Sequence, residues 1–364
     1  MTYSSHFAQT YIEARRKFLD AAAAAQLAVT SHLHPLKGRD GEELATDVVR
    51  VGSADAKRLL ILSSACHGVE GFCGSGVQVA LLKDAKKLDQ IASSGTGVLI
   101  MHALNPHGFS FWRRVTNEVV DLNRNFHDFS RALPENLEYA ELDALLLPPE
   151  WPPANNDAAV RSYLAKNGLP KFQAVVSRGQ HSHPQGLFFG GTAPTWSNQT
   201  VRKLLREHAH ATTHLGWIDL HTGLGPSGYG ERIHAGREDA AALVRARAWW
   251  GGDGRTPVTS IYDGTSVSAK LTGMMATSVY DECPQAEYTG IAMEYGTVPV
   301  LEVMDAMRGD HWLHLHQNAP AEQALAIKQR VRDAFYTDTE IWKQQIVEQG
   351  LETVEQGLAG LRSR

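Results

Sequence analysis

Apolar residues along this chain fall into two kinds of stretch: short continuous runs bounded by polar residues, and longer segments in which they recur at helical spacing. Arg58-Leu-Leu-Ile-Leu-Ser-Ser-Ala65 is of the first kind, and a continuous run predicts a strand buried on both faces. Gly97–Pro106 predicts a second, ending in an Asn-Pro-His-Gly turn. His214–His221 and Gly290–Gly296 read as a third and a fourth. A glycine-rich turn follows the first strand, and then a helix over Gly76–Lys83. Further helices are predicted over Asp157–Asn167, Gln199–Ala211 and Arg237–Trp250, with a long charged one from Pro320 to Ala359. The alanine run Ala21–Ala25 lies in a first helix.

Strands alternating with helices predict an α/β fold, a mainly parallel mixed sheet with helices on both faces. No internal repeat stands out, and the four prolines of Pro148–Pro153 read as a rigid surface loop rather than a boundary. The expectation is a single domain over residues 1–364, with the chemical motifs inside about 55–305 and a C-terminal helical segment at 320–359.

Composition narrows the class. With 43% hydrophobic and 21% charged residues the chain resembles an ordinary globular enzyme, and a net charge of -5 argues against a nucleic-acid partner. No apolar run reaches the ~18 residues needed to span a bilayer. The N-terminal segment has Arg15, Arg16 and Lys17 but no apolar stretch and cleavage site after them, so it does not read as a signal peptide. With the odd set Cys66, Cys73 and Cys283, this predicts reduced thiols in a cytoplasmic protein. Cys66 beside His67 reads as a small buried residue rather than a ligand, because neighbours in a strand face opposite ways.

Two segments carry metal chemistry. His67-Gly-Val-Glu70 places an imidazole and a carboxylate three residues apart in a tight turn after a buried strand. Asp219-Leu-His221 adds a second imidazole at the end of another strand, 154 residues beyond His67. Three nitrogen and oxygen donors plus an open position describe a catalytic zinc. Asp219 shares the strand face of His221 and can orient a ligand, though the carboxylate behind His221 could equally come from elsewhere in the chain. In Asp121-Leu-Asn-Arg-Asn-Phe126, Asn123 and Arg124 can hold a carboxylate, since a guanidinium fork matches one bidentately. Arg113 and Arg114 add positive charge nearby, for substrate binding or for polarising a carbonyl. Glu294 closes the fourth apolar run, where a carboxylate is costly unless paired or functional, and beside a metal it suits a general base.

The order His-x-x-Glu, Asn-Arg, His and strand-borne Glu resembles that of the zinc carboxypeptidase superfamily, in a bacterial branch similar in pattern also to the succinylglutamate desuccinylase and aspartoacylase group. The resemblance rests on His67-Gly-Val-Glu-Gly-Phe72, Asn105-Pro-His-Gly108, Asp121–Phe126, Asp219-Leu-His-Thr-Gly-Leu-Gly225 and Glu294-Tyr-Gly-Thr297. It implies a carboxypeptidase-like fold, with His67, Glu70 and His221 as zinc ligands and Glu294 as the catalytic carboxylate. It also implies Asn123 and Arg124 as carboxylate binders, with Arg113 or Arg114 as the electrophilic arginine. Spacing does not choose between those two, nor between Tyr262 and Tyr280 for the tyrosine that reaches over substrate in digestive members.

Ser177–Gly191 has no counterpart in those members. It reads as a loop shaping the cleft, with Arg178, Gln180 and His183 as contact candidates against a purely structural role. His311 and His314 read as part of a packing or surface segment. The function expected is zinc-dependent hydrolysis of an amide in a peptide or small molecule bearing a free carboxylate. The alternatives are a deacylase or esterase of small N-acyl amino acids, and a metal- or ligand-binding protein without catalysis.

Overall fold

The four continuous apolar runs become the centre of a sheet. The computed structural model describes residues 2–153, 156–252 and 256–364. Its strands are β1 (Val29–Lys37), β2 (Glu43–Val51), β3 (Arg58–Ser64), β4 (Thr96–His102), β5 (His214–Ser227), β6 (Gly230–His234), β7 (Val258–Thr259) and β8 (Glu287–Gly296). Among the described residues these form one sheet in the order β1-β2-β4-β3-β5-β8-β6-β7. The central pairs β4/β3, β3/β5 and β5/β8 are parallel, whereas β1/β2, β2/β4 and β6/β8 are antiparallel. The fold class is α/β, a mixed and mainly parallel sheet at its core.

Both faces are covered, as continuous apolar strands require. Leu60 and Leu62 of β3 join a core with Val77 and Leu81 of the helix Gly71–Leu82 and with Ile346, Val354 and Leu358 of the helix Glu340–Arg362. Leu59 and Ile61 face the other way, onto Val201, Leu204 and Leu205 of the helix Trp196–Ala209. The four expected strands are all present.

Other expectations change. The glycine-rich stretch after β3 is already helix from Gly71, five residues before the expected start. Its glycines permit close packing: a Cβ on Gly74 would lie 2.5 Å from that of Ser64. The C-terminal segment is two helices, Ala321–Phe335 and Glu340–Arg362, which begin after Pro320 and at the Thr339 cap. β1, β2, β6 and β7 were not expected. The Pro148–Pro153 loop is pinned to the helix Val300–Leu315, where Trp312 Nε1 donates to the Pro149 carbonyl (3.4 Å). No described helix is long and apolar enough to cross a membrane.

Candidate metal centre

The site forms just past the end of β3 and where β5 and β8 pair at His221 and Glu294, six residues before β5 ends at Ser227. After β3 the chain turns sharply at Ala65, whose φ of 56° lies in the left-handed region, and the turn Gly68–Glu70 carries His67 and Glu70 over the strand ends. That turn is tied to the backbone of the two neighbouring arginines: Gly68 N and Val69 N donate to the carbonyls of Arg114 (3.1 Å) and Arg113 (2.9 Å). Residue 68 must be glycine, because a Cβ there would lie 2.1 Å from the Gly108 carbonyl carbon. Asn105 steadies the opposing helix Pro106–Ser110 by accepting from Gly108 N at 2.9 Å. His221 and Glu294 are direct partners in the β5/β8 register, so their side chains leave the sheet side by side.

His67, Glu70 and His221 converge, with one potential ligand atom from each lying within 4.8 Å of the others. His67 Nδ1 is 2.9 Å from Glu70 Oε1, and His221 Nδ1 is 3.1 Å from Glu70 Oε2 and 3.3 Å from His67 Nδ1. The other nitrogen of His221, Nε2, is 2.6 Å from Asp219 Oδ2. A carboxylate only accepts, and both nitrogens of His221 face one, so although burial opposes its charge Asp219 and Glu70 hold the imidazole well above the ordinary histidine range. A cation held between His67, Glu70 and His221 would take the place of the proton on His221 Nδ1, and the two imidazoles and carboxylate match the donor chemistry of zinc. His67 Nε2 lies between Asp121 Oδ1 (3.2 Å) and Arg114 Nη2 (2.8 Å). Each imidazole thus has a carboxylate behind it.

Electrostatics divides the acids. Burial alone would raise the carboxyls of Glu70 and Asp121, but His67 and Arg114 hold both below the usual carboxylate range. Glu294 goes the other way: burial and the like charge of Glu70 push it up to about 7, while Oε1 accepts from Leu224 N at 3.0 Å. Its half-buried side chain lines the same cleft as His67 and His221.

The two neighbouring arginines separate completely. Arg114 lines the cleft and donates to Glu70 Oε1 (2.9 Å) and Asp121 Oδ2 (3.1 Å). Arg113 points away and its Nε donates to Asp310 Oδ2 (3.0 Å), a carboxylate shared with Lys328. The structure therefore brings Arg114 to the ligands and leaves Arg113 in a buried ion pair.

Asn123 and Arg124 both line the cleft. Asn123 Oδ1 accepts from Met275 N (2.9 Å), and Arg124 donates to the Ser177 carbonyl through Nε (2.8 Å) and Nη2 (2.6 Å). Burial lowers the Arg124 pKa to about 10, which leaves it cationic at neutral pH.

The middle loop contributes differently from expectation. Ser177 and Phe188 line the cleft, whereas Arg178, Gln180 and His183 do not. Gln180 instead staples its own loop, accepting from Ser182 N (3.0 Å) and His183 N (2.7 Å). Phe188 lies under both Arg114 and Arg124, at 5.3 and 5.6 Å from ring centroid to guanidinium carbon. Nothing in the spacing of the sequence marks Phe188 or the role of Asp121. Tyr262 and Tyr280 are absent from the cleft lining, and Tyr262 donates to the Gly236 carbonyl (2.9 Å). His311 is buried and His314 half-buried in the helix Val300–Leu315, and neither belongs to a metal-ligating cluster among the described residues. All three cysteines are buried and unpaired.

Beside Asn123 and Arg124 the cleft opens into an apolar lobe of Ile233, Ile261, Val267, Leu271, Met274 and Ala292. A second apolar wall carries Val303, Met304, Met307 and Phe335.

The chain is similar in fold to several solved structures. Carboxypeptidase A from Helicoverpa armigera is 13% identical, with 90% of this chain and 74% of that one covered and a TM-score of 0.48. Bovine thrombin-activatable fibrinolysis inhibitor, in complex with tick carboxypeptidase inhibitor, is 12% identical over 92% and 99%, with a TM-score of 0.46. A metallo-carboxypeptidase from Burkholderia cenocepacia is 11% identical over 86% and 66%, with a TM-score of 0.36. No curated protein matches the sequence. The family described as "Protein of unknown function (DUF2817)" matches residues 7–349, and the chain belongs to that family.

Proposed function

We propose that this protein is a zinc-dependent hydrolase that cleaves an amide bond in a substrate with a free carboxylate. The observation that carries this reading is Glu294, a carboxyl pushed up to about 7 and set beside His221 on the strand row that faces the converging donors. A purely metal-binding site has no need of a fourth, weakly acidic group in that place.

His67, Glu70 and His221 would hold the zinc. When bound, it would polarise the scissile carbonyl and make water a better nucleophile near neutral pH. Glu294 takes the proton from the attacking water and returns it to the departing amine nitrogen, a role that a pKa near the working pH favours. The Arg114 guanidinium donates to the oxygen on which negative charge develops. Asn123 and Arg124 hold the substrate carboxylate, and Phe188 backs the guanidinium. The apolar residues Ile233, Ile261, Val267, Leu271 and Met274 that line the adjoining lobe suit an aliphatic or aromatic side chain on the residue that carries the carboxylate.

A hydrolysis screen tests this reading: peptides with free and amidated C-termini and N-acyl amino acids, each with and without chelator. Chelator-sensitive cleavage confined to free-carboxylate substrates is expected. Activity on N-acyl amino acids alone would turn the reading to a deacylase. Turnover indifferent to chelator, or equal on amidated peptides, would overturn it.

A further inference from the structure

We propose that Ser63 and Trp217 are positioning residues for the metal, acting through Asp219 to fix the ring of His221; this rests on the zinc reading above. In the parallel β3/β5 register Ser63 is the direct partner of Asp219, and Trp217, Asp219 and His221 alternate along one face of β5. Hydrogen bonds connect them in one direction. Trp217 Nε1–H donates to Ser63 Oγ (2.7 Å), and Ser63 O–H donates to Asp219 Oδ1 (2.6 Å). Asp219 Oδ2 accepts from His221 Nε2–H (2.6 Å), and His221 Nδ1 then faces Glu70 and His67.

Direction matters because the indole nitrogen only donates. By occupying a lone pair on Ser63 Oγ, it turns the hydroxyl hydrogen toward Asp219. The four residues are all buried, Ser63 and Trp217 almost completely, so bulk water does not replace a missing donor behind Asp219. Without Ser63, Asp219 Oδ1 would lose its partner while the Cys66 thiol lies close by, in a cluster whose ligand atoms are all within 4.8 Å. A carboxylate drawn toward that thiol would take the His221 ring with it.

Ser64 supplies an internal control. It is the next residue, equally buried, and faces the opposite layer, where its hydroxyl donates to Gln78 Oε1 at 2.8 Å. Losing that bond tests general packing without touching His221.

The experiment is a competitive titration with zinc ion and a fluorescent chelator on the full chain, with thermal unfolding of the metal-free forms alongside. Ser63→Ala is expected to weaken zinc binding at least ~10-fold, as loss of support behind a metal ligand typically does. Ser64→Ala should leave zinc affinity within about twofold whatever it does to stability. Trp217→Phe should weaken binding several-fold, yet add nothing in a Ser63→Ala background, because its effect passes through that hydroxyl. Wild-type affinity in Ser63→Ala, or an equal loss in Ser64→Ala, would overturn the relay. If Ser63→Ala fails to fold, unchanged affinity in Trp217→Phe overturns it just as well. A wild type that binds no zinc removes the underlying metal assignment too, and so differs from a failure of the relay alone.

Discussion

Replacing Glu294 by glutamine separates catalysis from stability in a way that a structural glutamate would not. The Glu294 carboxyl is pushed from an ordinary 4.5 to about 7, first by burial and then by Glu70. At ~1.4 kcal/mol per pKa unit, ionising it in the metal-free fold costs up to about 3 kcal/mol at pH 8. The sign follows from linkage. Folded Glu294 holds its proton to higher pH than the unfolded chain, so this cost is absent below pH 4.5 and complete only above about 7. Glutamine is neutral, nearly isosteric, and keeps an oxygen for the Leu224 amide. Metal-free Glu294→Gln should therefore be more stable than wild type at pH 8, by about 1–3 kcal/mol in urea unfolding, and indistinguishable at pH 4.5. With zinc restored it should bind the metal stoichiometrically and lose roughly 10²–10⁴-fold in kcat, the usual worth of a general base. A variant that is destabilised at pH 8, or one that hydrolyses as fast as wild type, would refute the assignment.

Three further outcomes follow from the same geometry. Arg124→Ala should raise KM for a free-carboxylate substrate by roughly 10- to 100-fold, the scale of a lost charge-assisted hydrogen bond, while amidated analogues change little. Arg114→Met should lower kcat by about 10²-fold with zinc still bound, whereas Arg113→Met should spare kcat and cost on the order of 3 kcal/mol by leaving Asp310 to Lys328 alone. His102, fully buried, stacked on Phe18 and bonded to Ser75, is lowered by burial from 6.5 to about 4. The unfolded chain takes up that proton first, so stability present above pH 6.5 should fall by up to about 3 kcal/mol on acidification to pH 4, and His102→Gln should flatten the slope in denaturant melts.

What could be read in advance depended on how each element meets its surroundings. β3, β4, β5 and β8 lie inside the sheet under helices, so their apolar runs announce them. β1 is an edge strand, largely exposed, and Val-Thr-Ser-His-Leu-His-Pro-Leu-Lys carries no such run. The five-residue β6 offers too little pattern to read. The helical start at Gly71 was hidden because glycine signals a turn by propensity, and here it serves packing against Ser64 and Phe109.

Local pattern alone announced that His67, Glu70, His221 and Glu294 stand, in that order, on or just after buried apolar runs, because an acid or imidazole there is a costly feature; it did not announce that β5 continues past His221 to Ser227. Tertiary structure alone decided that His67, Glu70 and His221, up to 154 positions apart in the chain (221 minus 67), converge on one point and that Glu294 lines the same cleft. It also decided that Arg114 faces them while Arg113 faces Asp310, and that Asp121, Phe188, Ser63 and Trp217 stand behind them. Those outcomes depend on strand register and on which side of a bend a side chain leaves, and both are set by packing between distant segments rather than by neighbours in the chain.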